Sequence, residues 1–232
     1  MLTIMSHVFD AVFPAPLPPP IDGPTRADLV IDSLKSAIVS GRLKPGQILV
    51  ERKIAEQLGV SKTPVREAFI VLERSGLLAV EARRITVRSL SFTDIRHIYE
   101  ERVLLEPWAI VDAARFDSRF SVAGRALVDA RAHADSNDKA AEAMANRRFH
   151  RGMYASSENE FIVNSLDGLQ DLTALAVAGV LWERWPRREI EAGEHEAIYD
   201  AARSGDAITA AQLMREHIAA SIVRVSRSEV GH

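Results

Sequence analysis

Seven histidines punctuate this 232-residue chain, and three of them are placed to do chemistry. His150, His195 and His217 each sit inside a different stretch of helical period, close to the apolar residues Phe149, Ile198 and Ile218. Imidazole ligates borderline divalent metals such as zinc, nickel or cobalt, and helical bundles build such sites from facing helices. Asn146 stands four residues before His150, on the same helix face, and offers an amide oxygen. Spacing alone does not bring together residues 45 and 22 positions apart, so three unrelated core or surface histidines are the competing reading. His7 and His232 are terminal, and His97 and His133 lie in surface-like contexts. No acid stands between two histidines as in a His-Glu-x-x-His helix, which disfavours a catalytic metal.

A second group is cationic. Ser61, Lys62, Thr63 and Arg66 crowd the start of a short helix, with Arg52 at the start of the helix before it and Arg83 and Arg84 in a later turn. Hydroxyls at a helix N-terminus suit phosphate, and a guanidinium one turn further on reaches base edges or backbone. Each of these residues alone reads as surface charge. As a set at one helix start, with Val65, Ala68, Phe69 and Leu72 supplying the buried face of the same segment, they read as a nucleic-acid contact.

The elements that position these groups follow from punctuation and period. Leu29, Leu34, Ala37 and Ile38 mark a first helix closed by Gly41, and Pro45-Gly46 makes a turn. A second helix runs from about Val50 to Leu58, Gly59-Val60-Ser61 forms a tight turn, and a third helix runs to about Ser75. Ser61 or Thr63 caps it and Pro64 suits its first turn. Leu78 and Val80, then Ile85 and Val87, form two strands around Glu81 to Arg84. Two helices across a tight turn and then a hairpin make a winged helix-turn-helix. Beyond it, 3.6-residue periodicity predicts six helices, at about 92–114, 118–134, 138–156, 159–182, 188–204 and 207–228, with breaks at Pro186 and Gly205-Asp206. The expected fold is mainly α: an N-terminal winged helix-turn-helix over residues 25–90 and an all-helical antiparallel bundle over 91–228. Residues 1–24 hold six of the ten prolines and are expected to be a disordered or extended tail, as are 229–232.

Composition sharpens the division. The net charge of −3 argues at first against nucleic acid, but it is unevenly spread. Residues 26–88 carry 12 Lys or Arg against 7 Asp or Glu, and residues 89–232 carry 17 against 23. A basic module is thus joined to an acidic one. With no cysteine, a disulfide scaffold, a thiolate metal site and a catalytic thiol are excluded, and any metal must use histidine, oxygen and water. No apolar run approaches the roughly 18 residues of a membrane span. The N-terminus lacks a basic signal region, so a cytoplasmic location is expected.

The N-terminal module resembles the GntR family of bacterial transcription regulators. The resemblance rests on Gly41 to Gly46, Leu49, Glu51-Arg52, Ile54-Ala55, Leu58 to Ala68, Leu72 and Ser75-Gly76-Leu77, about 60 residues of specific pattern. It implies operator contacts from Arg52, Ser61, Lys62, Thr63 and Arg66. The family wing usually has Arg-Gly before its second strand, whereas here Ile85 follows Arg84, so the wing turn is expected to be a residue shorter.

Residues 91–228 resemble the helical effector-binding domain of the FadR branch, the FCD type. Arg102 and Glu106 match its Arg-x-x-x-Glu, and Phe149-His150, Asn159, Glu194-His195, Ile198, Ala201, Gly205-Asp206, Ala210 and His217 match its later helices. The resemblance implies a divalent metal, zinc or nickel, on His150, His195 and His217, with Asn146 where the family has an aspartate. It implies a small carboxylate effector near that metal. Arg102 is expected either to hold the effector or to pair with Glu106 along its helix. A homodimer reading an inverted repeat in operator DNA, with repression relieved by an organic acid, completes the expectation. The alternative is a metal-dependent hydrolase with an accessory winged helix. It lacks a positioned base, because Glu194 faces about 100° away from His195 on a helix.

Overall fold

The computed structural model describes residues 23–135, 139–181 and 188–230. Most of the proline-rich stretch at 1–24, the predicted break at Pro186 and the last two residues lie outside the described residues. The N-terminal part contains α1 (Arg26–Val39), β1 (Ile48–Leu49), α2 (Glu51–Leu58), α3 (Lys62–Arg74), β2 (Leu78–Glu81) and β3 (Arg84–Val87). The bundle contains α4 (Phe92–Ala113), α5 (Ser121–Asp135), α6 (Lys139–Tyr154), α7 (Glu160–Ala176) with a π-helical extension Val177–Leu181, α8 (Arg188–Arg203) and α9 (Ala207–Val230). A helix-turn-helix with a small β wing is therefore followed by an all-helical bundle.

Local chemistry sets the boundaries. Thr25 and Asp28 form a reciprocal capping box on α1, and Ser91 and Asp94 form one on α4, satisfying amides that no preceding turn can reach. Gly59 ends α2 at φ +66, a left-handed conformation that an L side chain resists. It turns the chain into α3, whose buried Val65, Ala68, Phe69 and Leu72 pack against α1 residues Val30, Leu34 and Ile38. The wing differs from the expected two-stranded hairpin. A two-residue β1 pairs with β3, so the sheet has three antiparallel strands in the order β1-β3-β2. Glu81 pairs with Arg84, leaving Ala82 and Arg83 as a two-residue turn at φ +48 and +63. Such turns favour Asn-Gly, and here two ordinary residues carry the left-handed strain.

In the bundle, α4 packs on α9, α5 on α6, and α8 on α9. Pro107 lies inside α4 without ending it. Proline has no N–H, so the Val103 carbonyl one turn back loses its helical donor. Arg215 on α9 supplies a replacement, donating from Nη1 to Val103 O at 3.3 Å. The predicted helix over 159–182 is α for 17 residues and then widens into the π-helical turn.

The two parts touch. In the π-helical turn, a Cβ added to Gly179 would lie 2.8 Å from Pro45 Cγ, so the Pro45 ring sits directly on the Gly179 backbone. Lys35 on α1 pairs with Asp171 on α7, Nζ to Oδ2 at 2.5 Å.

Candidate functional site

The three histidines, dispersed in sequence, converge. His150 comes from the C-terminal half of α6, His195 from the middle of α8 and His217 from the middle of α9. All are buried, and one ring nitrogen of each lies within 4.8 Å of the others. The Nε2 atoms of His195 and His217 are 3.2 Å apart. Two nitrogens bound tetrahedrally to one zinc at about 2.0–2.1 Å stand roughly 3.3 Å apart, so the pair has the spacing of co-ligands. Phe149 packs on His195 at 4.4 Å between ring centroids and closes the apolar side.

Carboxylates orient two of the rings. His217 donates from Nδ1 to Glu194 Oε2 at 2.6 Å, which leaves the Nε2 lone pair facing His195. His150 Nδ1 lies 2.8 Å from Glu106 Oε2, which leaves its Nε2 for a ligand. This is the carboxylate–histidine arrangement that fixes tautomer and raises basicity at metal sites. On the sequence Glu194 is a poor base for a metal at His195 because it faces away from that residue. It does face away, and the residue it faces is His217. Nothing in the spacing reveals that pairing, since the partners are 23 residues apart and the Glu106–His150 pair 44 apart.

Arg102 donates from Nε to Glu106 Oε1 at 2.5 Å and from Nη1 to Thr173 Oγ1 at 3.3 Å, and its Nη2 is 3.2 Å from His150 Nδ1. Gln170 on α7 donates to the same Glu106 oxygen at 2.8 Å. Its own Oε1 is buried and without a hydrogen-bond partner. Burial would raise the Glu106 carboxyl, but Arg102 and then His150 outweigh it and hold it at about 2. Burial pushes His150 down to about 4 against the pull of Glu106. Burial, with His217 and His150 adding to it, drives His195 well below the usual imidazole range. The His217 hydrogen bond lowers Glu194. Three buried imidazoles, two of them backed by carboxylates, form a donor set suited to a divalent cation. Asn146 lies half-buried one turn before His150 on α6.

At the other end of the molecule, Ser61 occupies the N-cap of α3 without a side-chain bond to the helix, so its hydroxyl is not spent on capping. Lys62, Thr63 and Arg66 are exposed beside it, and Arg83 and Arg84 are exposed on the wing. Arg66 Nε is paired with Glu51 Oε2, and Arg52 Nη1 with Glu56 Oε1, each at 2.7 Å. Both are exposed pairs, which phosphate can replace at small cost.

A helix-turn-helix with a basic entry, joined to a helical domain enclosing a polar cluster, defines a ligand-responsive DNA-binding regulator. The family models agree. Residues 26–87 match the model of bacterial regulatory proteins, gntR family, and residues 97–220 match the FCD domain. The chain belongs to the GntR family of transcriptional regulators, in the FadR-type subfamily that the FCD domain defines; this is not a family of enzymes. It is 32% identical over 211 residues, 89% of this chain and 92% of the relative, to a probable D-xylose utilization operon transcriptional repressor of Paenarthrobacter nicotinovorans. It is 27% identical, over 82% of this chain and 85% of the relative, to the Glc operon transcriptional activator of Escherichia coli K12. Among solved structures, a GntR transcriptional regulator from Rhodococcus sp. RHA1 superposes with TM-score 0.77 at 25% identity, covering 86% of this chain and 97% of that one. E. coli McbR/YncC shares the fold at TM-score 0.77 and 23% identity, covering 89% of this chain and all of that one. No helix among the described residues is long and apolar enough to cross a membrane.

Proposed function

We propose that this regulator is a cytoplasmic repressor that binds an inverted repeat in operator DNA as a homodimer and releases it when a small organic acid occupies the histidine site. The convergence of three buried histidines inside an effector domain is the observation that carries this reading. His150, His195 and His217 hold a divalent cation, zinc or nickel, and Asn146, one turn before His150, serves as a fourth ligand. A neutral amide in place of a carboxylate leaves the site more positive and more receptive to an anion. The cation supplies the positive charge that a carboxylate effector seeks, and Arg102, paired with Glu106, stands beside His150 at the edge of the site. Repression has support from the D-xylose relative, which matches along most of both chains.

At the DNA end, Ser61, Lys62, Thr63 and Arg66 enter the major groove while Arg52 and the wing residues Arg83 and Arg84 flank it. Two recognition helices related by a two-fold axis require a palindromic site. The test is elemental analysis of protein purified without chelator or metal-affinity resin, followed by thermal-shift measurement of organic acids with and without zinc. The expected result is about one cation per chain and a set of acids that stabilise only the zinc-loaded protein. An empty protein with no saturable zinc site contradicts the reading, and Asn146→Asp then shows whether the amide is the cause.

A further inference from the structure

Asp171 occupies an unusual position between the two parts of the molecule. It is a buried carboxylate on α7, with its side chain 5% exposed, and it is shared by two cations from different domains. Lys35 of α1, in the DNA-binding part, pairs with its Oδ2 at 2.5 Å. Arg147 of α6, in the bundle, donates from Nε to its Oδ1 at 2.8 Å and from Nη2 to the same oxygen. Both supports of this triad begin at the histidine site. Arg147 lies one turn before His150 on α6. On α7, Gln170 and Thr173 bracket Asp171, and they hold Glu106 and Arg102, the pair that orients His150. These contacts join His150 and Glu106 to Asp171 through α6 and α7 together. Packed and hydrogen-bonded elements of this kind carry displacement rather than absorb it.

We infer that Asp171 is the positioning residue that couples the histidine site to the DNA-binding part, with Lys35 as the receiving arm. The inference rests on the proposed reading of the site. Lys35 is the informative residue to change, because Arg147 still compensates Asp171 when Lys35 is removed. The close approach of Gly179 to Pro45 keeps the two parts in register while the ion pair sets their relative placement.

The test uses the full chain and zinc alone as the probe. Operator affinity, on a sequence selected in vitro, is measured with zinc and after stripping by chelator, for wild type, Lys35→Met and Lys35→Arg. Zinc affinity without DNA is measured in parallel. Wild type is expected to change its operator Kd at least fivefold between the two states. In Lys35→Met the ratio is expected to fall below twofold, with zinc affinity within about threefold of wild type, and Lys35→Arg is expected to restore the ratio. A full wild-type ratio in Lys35→Met overturns the inference and leaves the reading of the site intact. A wild-type ratio of one overturns the inference alone, whereas a chain that shows no saturable zinc binding in the parallel titration overturns the reading of the site.

A second readout does not depend on DNA. The chain has no cysteine, so spin labels at Ile70→Cys and Val128→Cys, both exposed positions on different domains, report the interdomain distance. Zinc is expected to shift that distance in wild type and to leave it unchanged in Lys35→Met. An equal zinc-induced shift in both proteins overturns the inference.

Discussion

Two residues show how differently a side chain is used at the two ends of the molecule. Arg66 is exposed and loosely paired with Glu51, available for exchange with a phosphate or a base. Arg66→Ala is expected to weaken operator binding at least tenfold, and to reduce the slope of log affinity against log salt by about one unit where the contact is to phosphate. Fluorescence anisotropy across a salt series measures both. His150 is the opposite case, buried and held neutral. An unfolded imidazole titrates near 6.5 and His150 in the fold near 4. Between those values the unfolded chain binds more protons, so stability rises with pH across that window. The contribution is fully present above about pH 6.5 and is lost as pH falls toward 4. Melting temperatures of chelator-stripped protein are expected to fall over that range, and less steeply in His150→Gln, which has no such proton to take up. An equal fall in both proteins contradicts the assignment. At this scale the types were legible and the partnerships were not. The helical period placed each histidine inside a helix, but Glu106 and Glu194 reach their histidines across the bundle, and no local pattern records that.

Element boundaries are legible in the sequence where punctuation is strong. Gly59, Gly76 and Gly205 end or follow helices as left-handed residues, and all six predicted bundle helices are present. The misses have physical causes. β1 is two residues long and is held by pairing with β3, so its own sequence carries little strand signal. The second bundle helix starts at Ser121 rather than 118, because Asp117 Oδ1 accepts from the amides of Arg119 and Phe120 and holds the chain in a turn there. The π-helical turn after Ala176 continues an apolar run, and periodicity does not distinguish a widened turn from an α turn. Close packing of α5 on α6 gives a prediction at this scale. A Cβ on Gly152 would stand 2.5 Å from the Ala123 backbone nitrogen. Gly152→Ala is expected to destabilise by about 1–3 kcal/mol through overpacking. Urea denaturation with an unchanged m-value checks it, and a neutral or stabilising result contradicts the packing described.

For the whole molecule, the net charge of −3 conceals a basic reader and an acidic sensor. The linkage between them follows ordinary thermodynamics: a ligand shifts DNA binding only by its differential affinity for the two placements of the reader. The histidine cluster, Glu106, α7 and Asp171 form one continuous set of contacts ending on α1. The site itself is expected to fail as a unit. His195→Ala is predicted to abolish saturable zinc binding in a competition titration while leaving the fold intact by circular dichroism, and zinc binding at wild-type affinity would contradict the three-histidine site.

The most direct test is the operator affinity of the full-length protein as zinc is titrated into a chelator-stripped sample, with His195→Ala alongside. At least a fivefold change in Kd is expected, saturating at about one zinc per chain and absent in the variant. An operator affinity that is the same with and without zinc would contradict the coupling of the two parts, and a zinc response that survives in His195→Ala would contradict the three-histidine site.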